Sequence, residues 1–546
     1  MSEPSGHVDT FCADNLPPRA LWPVMDYTAL SDLAYDPRLN CAAELLDVAV
    51  QSGGGDRTVF LYEGSRWSYA ELLTAANKIA HVLTEELGVV PGNRVLLRAP
   101  NTPMLAACWF GVLKAGAVVV ATMPLLRPRE ISYTADKARI SLALSDSRVA
   151  TDCDRAMLSN TDGTARAGAR VVQFNTDAPD GLEAMMRAKP ATFDNCDTSA
   201  EDTALIAFTS GTTGRAKGTM HSHRDVLAIT DCFARHVLRP NASDIFCGSP
   251  PLAFTYALGG LLLFPMRFGA STLMLEQASP PNLVKAIHEY RPTVCFTAPT
   301  AYRAMLGMLG NFDVSSLRKC VSAGETLPAA TLEAWEAATG VRIIDGLGAT
   351  EMLHIFISAA GDDIRPGATG RAIAGYQARI VDANGIPVPA GEVGFLEVRG
   401  PTGCRYLDDV ERQRAYVRDG WNLTGDSYRM DDDGYFWYQA RSDDMIVSSG
   451  YNIAAPEVEN ALLTHEDVHE CAVIGIPDVE RGHIVKAFVV LHPHARDNPP
   501  AIKTLQDHVK REIAPYKYPR AIEFVDALPH TDTGKLQRFR LRETTQ

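Results

Sequence analysis

Apolar and polar positions along the chain predict a layered α/β molecule. Val95-Leu96-Leu97 is a short apolar run, and Pro103–Lys114 carries apolar residues at helical spacing. Gly116 stops that helix, and Val118-Val119-Val120 is a second apolar run. Strand, helix, strand in that order makes a βαβ unit, which belongs in a covered, mostly parallel sheet. The alternation returns as a helix over 284–290, a strand over Val294–Thr297, a helix over 302–309 and a strand over Lys319–Ala323. From about Gln377 the texture changes. Ala378-Arg379-Ile380-Val381, then Asp382-Ala383-Asn384-Gly385, then 393–398 read as antiparallel strands around an Asn-Gly turn. Pro387 and Pro389 mark an edge rather than a central strand. Beyond Ser442 a helix (457–463), two strands (470–475 and 485–491) and a helix (502–513) suffice for a small α+β domain. A chain of 546 residues exceeds what one hydrophobic core covers. The pattern places the division between 1–441 and 442–546.

Composition narrows the function classes. Hydrophobic residues make up 46% and charged residues 22%, as in an ordinary globular protein. A net charge of −14 argues against a nucleic-acid partner held on a basic face. Anionic small ligands stay allowed, because they need only a few local cations and aligned backbone N–H groups. The 11 cysteines are scattered singly with no C-x-x-C pair, which fits reduced thiols better than disulfides or a zinc site. Residues 1–15 lack an apolar signal-peptide core, and the longest apolar stretch, 258–266, is too short to span a bilayer. A cytoplasmic protein without membrane or nucleic-acid partners is expected.

The most informative segment is Leu205-Ile206-Ala207-Phe208 followed by Thr209-Ser210-Gly211-Thr212-Thr213-Gly214-Arg215-Ala216-Lys217-Gly218. Glycines let backbone N–H groups turn towards one point, and hydroxyls and lysine complete an anion cradle. Composition alone leaves this open against a flexible solvent linker. The Walker pattern is met neither here nor at Gly534-Lys535.

Residues 209–218 resemble the signature of the adenylate-forming superfamily of acyl-CoA synthetases, luciferases and peptide-synthetase adenylation domains. Further segments match in the family's order. Leu347-Gly348-Ala349-Thr350-Glu351 resembles Y-G-x-T-E, Leu423-Thr424-Gly425-Asp426 resembles T-G-D, and Arg441-Ser442-Asp443-Asp444-Met445-Ile446 resembles the hinge motif R-x-D-D-x-I. Pro529-His530-Thr531-Asp532-Thr533-Gly534-Lys535 resembles the terminal P-x-T-x-x-G-K. The resemblance implies a large N-terminal domain with βαβ-type sheets and an antiparallel distorted barrel, and a small mobile α+β lid.

The resemblance also implies roles. Thr209, Ser210, Gly211, Thr212, Thr213, Gly214 and Lys217 would cradle the ATP phosphates, Thr350 would contact the α-phosphate, and Glu351 would hold Mg²⁺. Mg²⁺ prefers one or two carboxylates plus phosphates and water, which suits a single glutamate. Gly324 and Asp345 match the adenine slot, and Asp426 and Arg441 match the ribose contacts. Leu347 stands where the family usually places an adenine-stacking aromatic, and Val447 where a polar residue is commoner. Lys535 would enter between carboxylate and α-phosphate for adenylation. Rotation about Asp443 would then open a pantetheine tunnel for coenzyme A lined by Ser449, Gly450 and Tyr451.

Phe254-Thr255-Tyr256 occupies the family's substrate-gating segment. Thr255 stands where amino-acid adenylating domains carry an aspartate, which disfavours an α-amino acid. Tyr256 offers a flat apolar wall with a hydroxyl handle, suited to a small aromatic acid, although Phe254 and Tyr256 also read as plain core aromatics. The string 345–356 resembles benzoate-CoA ligases, and Asp9-Thr10-Phe11, Asn15-Leu16-Pro17-Pro18 and Arg38-Leu39-Asn40-Cys41-Ala42 resemble the 2-aminobenzoate- and salicylate-CoA ligase branch. By that matching Thr255, Tyr256, Ala349 and His354 border the acyl pocket. The expected reaction is an aryl acid:CoA ligation through an acyl-adenylate, with 2-aminobenzoate first and benzoate or salicylate next, and a homodimer is allowed. Loading of a free-standing carrier protein, luciferase-like oxidation and a catalytically inactive nucleotide-binding protein are the competing readings. A fused carrier would need a serine-centred module after Lys535, and the sequence runs only to Gln546.

Overall fold

The structure is a computed structural model. It describes residues 4–209, 216–441, 445–448, 451–478, 482–513, 515–530 and 536–544; at 440, 441, 445, 447, 451, 452, 482 and 516 only the backbone is described.

Two sheets carry residues 58–372. In the six-stranded sheet the order is Arg170–Phe174, Leu142–Asp146, Arg94–Arg98, Val118–Thr122, Thr203–Thr209 and Lys217–Ser222. The first five are parallel, and the last runs antiparallel to its neighbour. The helix Pro103–Lys114 connects two of the parallel strands, as the pattern predicts. Thr102 caps it by accepting the Leu105 N–H, and proline fills the first helical position, where its missing N–H costs nothing. Almost every residue of this helix is buried, Lys114 included, and Lys114 is neutralised by Asp47 at 2.6 Å. Gly116 turns the chain at φ +73, where a side chain would also strike Cys196.

The second sheet has nine strands. Ile343–Gly348, Lys319–Ala323, Val294–Thr297, Ile245–Gly248, Ser271–Leu273 and Thr58–Tyr62 form its parallel centre. Ile355–Ser358 with Arg371–Ala372 and, at the other edge, Ser65–Ser68 close it antiparallel. The helices expected near 284–290 and 302–309 are Pro280–Tyr290 and Pro299–Leu306. Both begin one turn earlier than their apolar spacing suggests, because proline starts each.

A curled antiparallel sheet follows, built from Gln377–Val381, Val393–Arg399, Trp421–Met430, Val417–Arg418 and Phe436–Arg441. Gln377–Val381 is its edge strand, as the prolines imply. The Asn-Gly turn is not the whole connection. Asp382 takes the N–H groups of Asn384 and Ile386 on its carboxylate, which winds a local turn, and the chain needs residues 382–392 to reach the partner strand.

The remaining residues form an α+β unit. Val468–Asp478, Gly482–Leu491 and Ala521–Phe524 make its sheet, covered by helices Ala455–Leu463 and Ile502–Glu512. Ile453, Val458, Leu462, Val473, Val489 and Leu505 close a core of their own. Arg303, on the helix Pro299–Leu306, donates to the carbonyl of His469 in this unit. All 11 cysteines are free thiols, and only Cys196 has more than slight exposure. Among the described residues no helix is long and apolar enough to cross a membrane.

Candidate active site

Gly324, Asp345, Ala349, Thr350 and Glu351 lie at the carboxyl-terminal part of two neighbouring parallel strands or just beyond it, where open α/β sheets bind ligands. Lys319–Ala323 ends one residue before Gly324, which takes φ +89, and Ile343–Gly348 carries Asp345 and leads into Ala349, Thr350 and Glu351. The two strands are in parallel register, with Ser322 opposite Asp345.

Thr209 and Lys217 are a register pair on antiparallel strands. Ser210, Gly211, Thr212, Thr213 and Gly214 lie outside the described residues, as do Asp443, Ser449, Gly450 and Lys535. The strand bearing Lys217 is tied to the Thr350 turn through His221, whose Nε2 bonds the Thr350 carbonyl at 2.8 Å. A carbonyl only accepts, so this nitrogen carries the proton.

Glu351 is buried, and its Oε1 accepts the Tyr406 hydroxyl at 2.6 Å. Burial, reinforced by the Glu351 charge, pushes the Tyr406 phenol far above its usual range, so it stays a donor. Tyr406 arrives on a short segment laid against Lys217–Ser222: Met220 N–H donates to the Arg405 carbonyl at 2.8 Å and Leu407 N–H to the Gly218 carbonyl at 2.9 Å. Beneath it Arg405 forms a buried ion pair with Asp225. Burial opposes ionisation of Asp225, yet Arg405 and His221 hold its carboxyl below the usual carboxylate range. His221, Asp225, Arg405 and Tyr406 were not among the expected site residues. The capping box Ser222 to Asp225 is the one local signal that could have pointed to them.

Asp426 and Arg441 face each other as a register pair on antiparallel strands. That places the carboxylate and the arginine backbone on one rung, as joint ribose contacts require. Tyr428, two residues on, is buried, and desolvation, with the Asp426 and Asp345 carboxyls nearby, pushes its phenol well above the usual range. Burial raises the Asp345 carboxyl to about 8, against one opposing backbone hydrogen bond from Gly346, and its Oδ1 has no partner.

Phe254, Thr255, Tyr256, Ala349 and His354 are the residues expected on the acyl side. Thr255–Ala257 is a helical turn continued by the wider-wound Leu258–Leu263, which brings Gly259 against the His354 ring and Gly260 against Phe296; a side chain at either would collide. The Tyr256 hydroxyl is not a free handle, contrary to expectation. It donates to the carbonyls of Val321 (3.0 Å) and Thr297 (3.3 Å), which leaves its ring as a wall. His354 is buried among Phe264, Phe233 and Tyr256, with ring centroids 4.6, 5.5 and 5.8 Å away. Its Nε2 bonds the Tyr256 carbonyl at 3.2 Å, so Nε2 bears the proton and Nδ1, which has no partner, is a bare acceptor. Desolvation lowers this imidazole to about 3, so it is neutral at physiological pH. Leu353, between Glu351 and His354, holds φ +67, a strained conformation for a branched side chain. Tyr451 is described only in backbone, opposite Ser448 in a hairpin.

The family description "AMP-binding enzyme" matches residues 46–405, and "AMP-binding enzyme C-terminal domain" matches 457–535. A benzoate–CoA ligase of Thauera aromatica is 35% identical over 513 residues, covering 92% of this chain and 96% of that protein. The anthranilate CoA ligase AuaEII, solved with anthranoyl-AMP, superposes with a TM-score of 0.88 at 34% identity, covering 95% of this chain and 99% of the other. A benzoate CoA ligase from Burkholderia xenovorans LB400 gives a TM-score of 0.83 at 32% identity, covering 92% and 100%. This chain belongs to the adenylate-forming AMP-binding enzyme family, and its likeness lies with the acid–thiol ligases of that family.

Proposed function

We propose that this AMP-forming acid–thiol ligase joins an aryl carboxylic acid to coenzyme A, and that 2-aminobenzoate is its preferred acid. The observation that carries the reading is the His354 site: a neutral imidazole held in an aromatic wall with an unpartnered acceptor nitrogen. A benzoate ring would pack against such flat apolar faces, and an ortho N–H would be the donor that a bare imidazole nitrogen lacks. The likeness to benzoate and anthranilate CoA ligases supports the same class of acid.

A substrate carboxylate oxygen attacks the α-phosphorus of ATP, forming the acyl-adenylate and releasing pyrophosphate; the coenzyme A thiolate then attacks the acyl carbon and AMP leaves. Thr209 to Lys217 hold the phosphates, Thr350 the α-phosphate, Gly324 and Asp345 the adenine, and Asp426 with Arg441 the ribose. Lys535 offsets the charge that builds between the two anions in the first step. Glu351 suits Mg²⁺ chemically, as one buried carboxylate, and the ion when bound would neutralise phosphate charge. The lid is 442–546, turning at Asp443, with Ser449, Gly450 and Tyr451 along the pantetheine path.

The test is ATP- and coenzyme A-dependent thioester formation, without a carrier protein, over substituted benzoates and medium-chain fatty acids. 2-Aminobenzoate should give the highest kcat/KM. His354→Phe, which keeps the ring and removes the acceptor, should lower it about 10-fold relative to benzoate, roughly one lost hydrogen bond. Preference for fatty acids over every aryl acid would overturn the reading, and equal loss for both aryl acids would remove His354 from it.

A further inference from the structure

Tyr406 is buried more tightly than a binding residue needs to be, and every part of it is fixed. Its backbone N–H donates to Gln413 Oε1 at 2.9 Å, and the Gln413 amide in turn donates to the carbonyls of Cys404 (2.9 Å) and Leu21 (3.0 Å). Its backbone bridges to Thr219. Its ring stands edge-on to Tyr416, with centroids 5.7 Å apart. The phenol meets Glu351, and the Lys217 ammonium lies 5.9 Å from the ring centroid, within cation–π range. One side chain thus joins the expected metal carboxylate to the expected phosphate lysine.

We propose that Tyr406 is a positioning residue for the metal–phosphate end of the site, pinning one oxygen of Glu351 so that the carboxylate meets a divalent cation in a fixed orientation. Its ring seats Lys217 beside the same phosphates. Groups that orient a ligating carboxylate from behind commonly govern metal affinity as strongly as a weak ligand does. This rests on Glu351 as the metal carboxylate, and the experiment separates the two claims.

Mn²⁺ binding to the protein with a non-hydrolysable ATP analogue is measured by the electron paramagnetic resonance of free Mn²⁺. Tyr406→Phe should weaken Mn²⁺ binding by about 10- to 100-fold, with binding of the analogue in EDTA unchanged. Wild-type Mn²⁺ affinity, or an equal loss of analogue binding in EDTA, would overturn the proposal. Glu351→Gln should lose the Mn²⁺ site, and Tyr406→Phe placed on Glu351→Gln should lose nothing more. If Glu351→Gln binds Mn²⁺ as wild type does, the metal role of Glu351 fails and Tyr406 falls with it. If Glu351→Gln loses Mn²⁺ while Tyr406→Phe keeps it, only the Tyr406 claim fails. Thermal melting confirms that each variant is folded; should phenylalanine not fold, Tyr406→Leu, also donor-free, should weaken Mn²⁺ binding alike and, lacking the ring beside Lys217, weaken the analogue in EDTA to a smaller degree.

Discussion

Asp345 is a carboxyl group that burial keeps protonated up to about 8. The unfolded chain releases that proton near 4, so between the two values the folded protein binds the extra proton. Stability from this group is therefore full below pH 4 and falls as pH rises towards 8. Asp345→Asn removes the titration, and its melting temperature should lose that part of the wild-type decline between pH 5 and 8. A variant with the wild-type slope would show that Asp345 ionises freely. Asp345, Thr350 and Glu351 were legible in the sequence because they sit in one short string whose order carries the resemblance. Tyr406 was not, since its partner lies 55 positions away and a lone tyrosine carries no local signature. The Tyr256 hydroxyl was misjudged for a related reason. Its acceptors are backbone carbonyls of two other strands, which no spacing rule brings near it.

Among the elements, the strand Lys217–Ser222 and the helix His223–Ile229 that follows it depend on one buried charge pair. Asp225 closes the helix's capping box, and its carboxylate also neutralises Arg405, both being almost inaccessible to water. Removing one member of a buried pair leaves the other uncompensated, which costs about 3–5 kcal/mol. Asp225→Ala should lower stability by that amount in guanidinium unfolding, and Asp225→Ala with Arg405→Met should recover much of it. If the double variant is no better than the single, the loss belongs to the cap. In the two mainly parallel sheets, strands at 95–97, 118–120, 205–208, Val294–Thr297 and Lys319–Ala323 were readable from apolar runs, because strands covered on both faces are continuous and short. The wide-wound turn at Leu258–Leu263 was not readable: its sequence is simply apolar, and the need for Gly259 and Gly260 comes from His354 and Phe296.

At the scale of the whole molecule the proposed chemistry would divide between two units. Lys535→Ala should abolish acyl-adenylate formation, by at least 100-fold on the scale of one lost electrostatic contact to the transition state, while sparing thioester formation from supplied acyl-adenylate. Equal loss of both half-reactions in a folded variant would remove Lys535 from its role. Any turning of the lid must also break the Arg303 contact to His469, an interaction that belongs to one arrangement of the two units. A further consequence follows from the segment around Arg405 to Leu407, which lies against a strand laid down nearly two hundred residues earlier. On the ribosome, the first sheet's last strand waits for that segment with Asp225 lacking its counter-ion, while seven strands of the nine-stranded sheet are synthesised. Folding of the large unit is thus closed late, by a clasp from its far end.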